Sequence, residues 1–319
     1  MTRTPAAPYN HSMDEFELIA RFFAPLAGEG AFGLKDDVAL LPQRPGHDLI
    51  VTTDTISEGT DFFAFDPPHT IAQKALRVNL SDLAAKGAEP AGYLLNLSLP
   101  HSIHDAWLAA FASGLAADQA EFGFSLLGGD TGATDGPLSI AVTAFGFVPA
   151  GKLVKRSGAR VGDAVYVTGT IGDSGGGLTI FKRENHSLPD ADRDHLTARY
   201  RVPEPPMAFA VQLRDIAHAS VDISDGLIAD LGHIAAASGV RILVEGERVP
   251  LSAPLKALWG DKTLQRAVIA GDDYQIAFTA SPDISGPFTH IGQVVAGDGV
   301  NLMVAGEEIA VPRSGYRHF

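Results

Sequence analysis

Carboxylates recur along this chain in five short motifs, each beside glycine, hydroxyl or other small side chains. The motifs are Lys35-Asp36-Asp37, Thr52-Thr53-Asp54-Thr55, Asn79-Leu80-Ser81-Asp82, Gly128-Gly129-Asp130-Thr131 and Asp222-Ile223-Ser224-Asp225-Gly226. Carboxylate oxygens are the ligands that hard cations such as Mg²⁺ prefer, and small neighbours let a phosphate approach the cation closely. If the five motifs converge in the fold, they predict a pocket in which metal ions hold nucleotide phosphates.

Each motif also has a purely structural interpretation. The carboxylates of the first, second and fourth motifs could equally be turn or helix-cap residues, because aspartate is common at both. In the third motif, Asn79 and Asp82 lie three positions apart on a predicted helix, and a solvated polar face would explain them. In the fifth motif, capping of the next helix would explain Asp225, but not a second carboxylate and a hydroxyl beside it.

Three glycine-rich segments have the composition of phosphate-binding loops, but the first two are rejected on their context. Residues 28–33 match G-x-G-x-x-G, but they follow a predicted helix and precede a predicted strand, the reverse of the dinucleotide-binding order. Residues 146–152 match G-x-x-x-x-G-K, but Leu153 stands where a P-loop needs serine or threonine, and Pro149 lacks an amide donor. Residues 168–177 follow a predicted strand and precede a predicted helix, so they could bind an anion or form a tight packing turn.

Composition narrows the function classes. The net charge of −14 over 319 residues argues against non-specific nucleic-acid binding, which needs surplus lysine and arginine. The absence of cysteine excludes thiolate catalysis, disulfides and Cys-ligated zinc. Residues 1–12 lack the basic start and apolar core of a signal peptide. No apolar run reaches a length of about 20 residues, which a membrane-spanning helix needs. We therefore expect a soluble, cytoplasmic protein without membrane or nucleic-acid partners.

Hydrophobic periodicity predicts the elements that must position the motifs. Helices are predicted at 14–23, 69–86, 105–121, 178–183, 206–218 and 226–237. Strands are predicted at 38–41, 49–53, 93–99, 125–127, 138–148, 164–168, 242–244, 275–278 and 290–295. Asp54 is expected at the end of its strand, and Asp130 just after its strand. The order of elements favours an α/β or α+β layer with helices on one face of the first sheet. Residues 1–13 are polar and contain proline, which predicts a flexible tail. A change in sequence pattern near residue 151 predicts a boundary between a first domain at 14–150 and a second α/β domain at 151–319.

Taken together, the motifs resemble the thiamine-monophosphate kinase family. The match spans residues 14–319, within the wider superfamily of ATP-dependent aminoimidazole-ribotide and selenophosphate synthetases. The segments that carry it are 36–37, 52–55, 74–90, 127–131, 156–159, 166–170, 222–227, 271–274 and 315–319.

The resemblance implies an α/β (α+β) protein with the two-domain aminoimidazole-ribotide-synthetase-like fold. It also implies a homodimer whose N-terminal sheets pair across the dimer, with ATP in the cleft. Such enzymes transfer the γ-phosphate of ATP directly to thiamine monophosphate, with several Mg²⁺ ions and no protein nucleophile.

Site residues follow from the resemblance by position. The implied metal positions are Asp37, Thr52, Thr53, Asp54, Asp82, Asp130, Asp222 and Asp225. The implied ATP contacts are Phe122, Gly129, Asp130, Arg156 and Ser224. The implied contacts to the thiamine phosphate are Asp61, Asp272 and Tyr316.

Several positions depart from the family pattern. Lys35 stands where glycine is usual, Asp61 where histidine is usual, Asp272 where glutamate is usual, and Phe122 where tyrosine is frequent. The metal positions are intact, so the departures concern substrate contacts more than the reaction. Two alternatives remain open: a synthetase of the same superfamily acting on an aminoimidazole precursor or related amide, and a regulator that binds thiamine phosphates without consuming ATP.

Overall fold

Apolar stretches bounded by glycine and proline form the elements of two compact units. The computed structural model describes residues 14–182, 187–311 and 315–316. One unit contains the residues up to Gln43 together with Val51–Asn79 and Pro90–Phe145, and the other contains Arg44–Ile50, Leu80–Glu89 and the residues from Gly146 onwards. The predicted domain boundary at residue 151 stays a prediction.

The N-terminal half of the chain forms a four-stranded sheet in the order β1-β4-β2-β3. Its strands are β1 (His47–Ser57), β2 (Glu89–Pro100), β3 (Ser125–Thr134) and β4 (Ser139–Pro149), and its helices are α1 (Glu15–Leu18), α2 (Pro68–Ala85) and α3 (Asp105–Phe122). Along β4, buried residues alternate with half-buried ones, as the period of two along a strand requires. Parallel pairing of β2 with β3 brings the Asp130 motif beside Asn96.

The C-terminal half forms a seven-stranded mixed sheet in the order β11-β10-β7-β9-β5-β8-β6. The strands are β5 (Ala164–Thr168), β6 (Ala217–Asp222), β7 (Arg241–Glu245), β8 (Ile276–Ala280), β9 (Phe288–Val295), β10 (Gly299–Val304) and β11 (Glu307–Ile309). The helices are α4 (Asp173–Phe181), α5 (Asp190–Arg201), α6 (Ala210–Ile216), α7 (Leu227–Ser238), α8 (Ala253–Trp259) and α9 (Thr263–Ala267).

Helices cover both faces of this second sheet. Val165 and Val167 of β5 pack in one apolar cluster with residues of α7, including Leu231. Tyr166, which points to the opposite face, packs in another cluster with Leu213 of α6 and with Ala85 at the end of α2. Side chains of a central strand are therefore buried on both sides, which explains its continuous apolar sequence.

Several sequence predictions were wrong. The segment predicted as a strand at 38–41 pairs with no strand among the described residues, and its Val38 and Leu40 are exposed. The helix predicted at 14–23 is present, but it becomes a π-helix after Leu18. The wider π turn changes the angular spacing of side chains, and Phe16 is exposed while Leu18 and Phe22 are buried.

Other elements were missed. The strands β6, β10 and β11 and the helices α5, α8 and α9 were not predicted. The predicted tail at 1–13 lies outside the described residues. None of the helices in the described part of the chain combines the length and apolar character needed to cross a membrane.

Candidate active site

A bulge in the β2–β3 ladder positions Asp130. The register shifts at Tyr93 and Leu94, so that Leu127 is the extra residue on β3. Gly129 follows with a φ of 151°, and a Cβ built there would lie 1.8 Å from the carbonyl oxygen of Leu95. Only glycine fits this approach of two backbones. Asp130 therefore lies inside β3, not after the strand as predicted, and it is exposed.

A cavity of about 400 Å³ brings two of the predicted metal positions together. Asp37 and Asp130 both line it, together with Asp36, Asn96 and Gly129. The remaining wall is largely apolar and includes Phe23 and Leu127. The cavity thus offers carboxylate and amide oxygens beside an apolar surface, a combination suited to a cation and the phosphate it holds.

The Thr52–Asp54 motif lies within β1, which continues to Ser57, so Asp54 is not at the strand's end as predicted. Alternation along a strand puts Thr52 and Asp54 on one face and Thr53 on the other. The Thr53 hydroxyl donates to the carbonyl of Val142 at 3.1 Å and accepts from the Thr143 hydroxyl at 3.1 Å. The side chains of Thr52 and Thr53 therefore cannot share one metal ion.

In the second unit, hydrogen bonds join the end of α2 to β6. The Ser81 hydroxyl donates to a carboxylate oxygen of Asp222 at 3.1 Å, and the hydroxyl of Ser220 donates to the carbonyl of Ala85. The ammonium group of Lys86 donates to the carbonyl of Ser220 at 2.7 Å. These contacts hold Asp222, at the end of an unpredicted strand, against the helix that carries Asp82.

Burial makes Asp222 electrostatically unusual. Its side chain is 5% exposed, and its pKa is raised well above the usual range by loss of solvent and by the negative charges of Asp82 and Asp230. The bond from Ser81 and the charge of Lys86 act in the opposite direction but do not outweigh burial. Buried carboxylates are costly unless they are paired or coordinate a metal. The donor set around Asp222 therefore fits a hard divalent cation.

Asp230 of α7, which none of the five motifs includes, stabilises the loop after β6. One carboxylate oxygen of Asp230 accepts the backbone N–H groups of Asp225 and Gly226, both at 3.0 Å. Burial, followed by the charge of Asp225, raises the pKa of Asp230 to about 7. His233 was also missed: its ring and the carboxylates of Asp225 and Asp230 bring ligand atoms within 4.8 Å of one another. Asp230 and His233 are three positions apart, a spacing that places two residues on the same face of a helix, so the sequence did contain a sign of this pair.

Backbone hydrogen bonds connect this loop to the predicted substrate positions. The N–H of Asp272 donates to the carbonyl of Ser224 at 2.8 Å, and the N–H of Tyr316 donates to the carbonyl of Asp225 at 3.0 Å. Asp272 has a φ of +66°, a backbone conformation that is strained for aspartate. The structure thus brings Asp222, Ser224, Asp225, Asp272 and Tyr316 together within one unit, although they are far apart in sequence.

Phe122 and Asp61, two further residues of the predicted site, each make a contact that has a structural role. Phe122, at the end of α3, lies under the guanidinium of Arg77, whose carbon is 5.1 Å from the ring centroid. Arg77 also forms a buried ion pair with Asp118 at 2.8 Å, so packing explains much of the environment of Phe122. One carboxylate oxygen of Asp61 accepts the N–H of Ser57 at 2.7 Å, which stabilises the turn after β1.

Arg156 is a predicted ATP contact, and Asn79 belongs to the third acidic motif. Arg156 is exposed, and its charge acts on both Lys86 and Asp230, so it belongs to the electrostatic environment of the β6 loop. Asn79 is fully buried and donates to the carbonyl of Ala75 at 3.0 Å, while its side-chain oxygen has no hydrogen-bond partner. The solvated-face interpretation of Asn79 is therefore wrong.

Comparison with known proteins identifies the family. The family model for the N-terminal domain of AIR synthase related proteins matches residues 35–148, and that for the C-terminal domain matches residues 160–305. A thiamine-monophosphate kinase of Caulobacter vibrioides is 42% identical, covering 98% of this chain and 93% of the relative. The chain belongs to the thiamine-monophosphate kinase family.

Solved structures of the family support the same conclusion. The crystal structure of thiamine-monophosphate kinase from Stenotrophomonas maltophilia K279a has a TM-score of 0.82 and 40% identity, covering 93% of this chain and 98% of that one. AaThiL complexed with AMPPCP and TMP has a TM-score of 0.80 and 32% identity, covering 91% of this chain and 97% of that one. The predicted family and fold class are confirmed.

Proposed function

We propose that this protein phosphorylates thiamine monophosphate to thiamine diphosphate, using ATP as the phosphate donor. The observation that carries the proposal is the likeness over nearly the whole chain to AaThiL, a protein complexed with AMPPCP and TMP. The carboxylates on β3, β6 and the following loop supply the ligand chemistry that nucleotide phosphates require through a metal. The γ-phosphoryl group passes directly to the substrate phosphate, without a phosphorylated protein residue.

Electrostatics explains why a protein with net charge −14 suits this reaction. Two unit negative charges about 4 Å apart repel by about 4 kcal/mol at an effective dielectric constant of about 20. Bound Mg²⁺ would neutralise phosphate charge, which together with positioning supplies most of the catalysis of phosphoryl transfer. The residues that would hold Mg²⁺ ions are Asp37, Thr52, Asp54 and Asp130 in the first unit, with Thr53 contributing through its backbone, and Asp82, Asp222 and Asp225 in the second.

The other residues bind and orient the two substrates. Gly129 allows close backbone approach, Ser224 supplies a hydroxyl, and Arg156 supplies a positive charge for the nucleotide phosphates. Asp272 and Tyr316 lie on segments bonded to the β6 loop, so they orient thiamine monophosphate relative to that loop. The Tyr316 ring is 51% exposed, which leaves area for stacking on a cationic thiazolium.

We also propose a homodimer. The long apolar strand β4 lies inside the sheet, between β1 and β2, so both of its edges are already paired. The support for association is β1, an edge strand on which Leu49 and Val51 are exposed. Exposed apolar residues beside an unpaired strand edge favour association. Sedimentation at micromolar concentration tests this: Val51→Glu should shift the protein towards monomer, and a monomeric wild type would contradict the proposal.

An ATP-consumption assay with three candidate acceptors tests the reaction. Thiamine monophosphate should give thiamine diphosphate and ADP in equal amounts, and only when Mg²⁺ is present. Free thiamine and an aminoimidazole precursor should give no turnover above ATP alone. Turnover with the aminoimidazole precursor would support the synthetase alternative, and binding of thiamine monophosphate without ATP consumption would support a regulator. A phosphorylated protein on the catalytic path would contradict direct transfer.

A further inference from the structure

Lys86 is a half-buried cation beside carboxylates, and the family motifs assign it no role. It follows α2 directly, and its ammonium group donates to the carbonyl of Ser220 at 2.7 Å. Ser220 lies two residues before Asp222 on β6, so the hydrogen bond ties Lys86 to the strand that ends in that carboxylate. The position is fixed further because the N–H of Val154 donates to the carbonyl of Lys86.

The charges around Lys86 have a clear pattern. Burial and the charge of Arg156 lower the pKa of Lys86 to about 8, while the charges of Asp222 and Asp82 act to keep it protonated. Ser81, the neighbour of Asp82, donates a 3.1 Å hydrogen bond to Asp222, so the end of α2 that precedes Lys86 contacts this carboxylate directly. Asp82 and Lys86 are four positions apart at the end of a helix, a spacing that brings opposite charges together.

From this geometry we infer that Lys86 is a built-in counter-cation of the Asp82–Asp222 cluster, and that it sets the Mg²⁺ affinity of this cluster. The inference rests on the proposed function only in assigning Mg²⁺ to Asp82 and Asp222. Its ammonium group is fixed to the backbone of β6, whereas Mg²⁺ binds and dissociates. The same positive charge therefore stabilises the metal-free protein and opposes the entry of Mg²⁺.

The two effects are thermodynamically linked. A fixed positive charge that favours the metal-free carboxylates must weaken binding of a second cation to the same carboxylates by the corresponding factor. Removing the charge should therefore have opposite consequences in the two states. The metal-free protein should become less stable, and the affinity for Mg²⁺ should become greater. A lysine that served only to pack α2 against β6 would lower stability without tightening Mg²⁺ binding.

The test is a titration of nucleotide-free protein with Mg²⁺. Calorimetry measures Mg²⁺ binding, and the thermal unfolding midpoint measures stability. Lys86→Met keeps the length of the side chain and removes its charge. We expect it to lower the unfolding midpoint without Mg²⁺ and to tighten Mg²⁺ binding by about tenfold, within the usual range of coupling between two ligands. Unchanged or weaker Mg²⁺ binding in folded Lys86→Met would overturn the inference.

Two further variants serve as controls. Lys152→Met makes the same change in net charge at an exposed ion pair with Asp215, 3.2 Å long, and should leave Mg²⁺ affinity unchanged. Lys86→Arg keeps the charge and should also leave Mg²⁺ affinity unchanged. A large change of Mg²⁺ affinity in this variant therefore contradicts the inference, even if Lys86→Met does not fold.

A double-mutant cycle with Asp222→Asn separates this inference from the function on which it rests. If Lys86 acts through Asp222, the effect of Lys86→Met on Mg²⁺ affinity should largely disappear in the Asp222→Asn background. If Asp222→Asn itself leaves Mg²⁺ binding unchanged, the proposed metal assignment fails, and the inference fails with it. If Asp222→Asn weakens binding but Lys86→Met has no effect, only the inference about Lys86 fails.

Discussion

The carboxylate of Asp273 accepts a 2.7 Å hydrogen bond from the backbone N–H of Gly172, the residue that precedes α4. The sequence left open whether the glycine-rich turn binds an anion or packs tightly. The protein's own carboxylate lies at this helix start, and a Cβ at Gly172 would be 2.6 Å from that of Ala267. The turn is therefore a packing turn that secures Asp273, the neighbour of the predicted substrate contact Asp272.

Asp273 should give the protein a measurable pH dependence of stability. Burial raises its pKa well above the usual value of 3.8, so the folded protein retains a proton that the unfolded chain releases. Between 3.8 and the folded pKa, the free energy of unfolding should fall as pH rises, by up to about 1.4 kcal/mol per pH unit for one group. Asp273→Asn should remove this contribution, as measured by urea unfolding at a series of pH values.

A matched carboxylate controls for general charge effects in that experiment. Asp298 lies in an exposed turn, and Asp298→Asn should leave the slope of stability against pH unchanged. A wild-type slope that persists in Asp273→Asn would show that other groups cause the dependence.

Gly129→Ala should damage both the fold and the site. The added methyl group would overlap the carbonyl of Leu95, so we expect a loss of stability of at least about 2 kcal/mol and reduced activity, because Asp130 is the next residue. Gly132 lies on the same strand with open space at its Cβ, and Gly132→Ala should change stability by less than about 0.5 kcal/mol. Equal effects of the two substitutions in denaturant unfolding would argue against the close approach at Gly129.

Asp54→Asn and Asp130→Asn test the metal positions. Each should reduce kcat at least about 100-fold, the scale for loss of one preorganised charge-stabilising group, with normal circular dichroism. Both side chains lie on strands with an exposed carboxylate, so neither loss should unfold the protein. Near-normal turnover in either folded variant would exclude that residue from the proposed metal site.

Tyr316→Ala should separate the two substrates kinetically. Loss of a stacking surface should raise KM for thiamine monophosphate much more than KM for ATP. Tyr316→Phe keeps the ring and should behave nearly as wild type. If the alanine variant changes both KM values equally, or neither, the ring instead anchors the segment whose backbone bonds to Asp225.

Sequence reasoning identified most of the strands and helices that carry the motifs because their apolar periodicity is strong. It missed β6, whose short sequence ends in an aspartate, a residue type that is typical of loops when it is read alone. It also misplaced Asp130, because a bulge changes the side-chain phase in a way that depends on the partner strand. Asp230 and Lys86 were missed for a related reason: their importance comes from burial beside other charges, which only the folded chain reveals.

The contact between Ser81 and Asp222 joins residues 141 positions apart in sequence. Closing so long a loop costs chain entropy, so such contacts form late in folding, after local helices and turns. The same cluster depends on backbone bonds from Asp272 and Tyr316, which are synthesised later still. A nascent chain on the ribosome therefore carries these aspartates as separate groups. If the cluster holds the proposed Mg²⁺, the complete site forms only after synthesis has passed Tyr316.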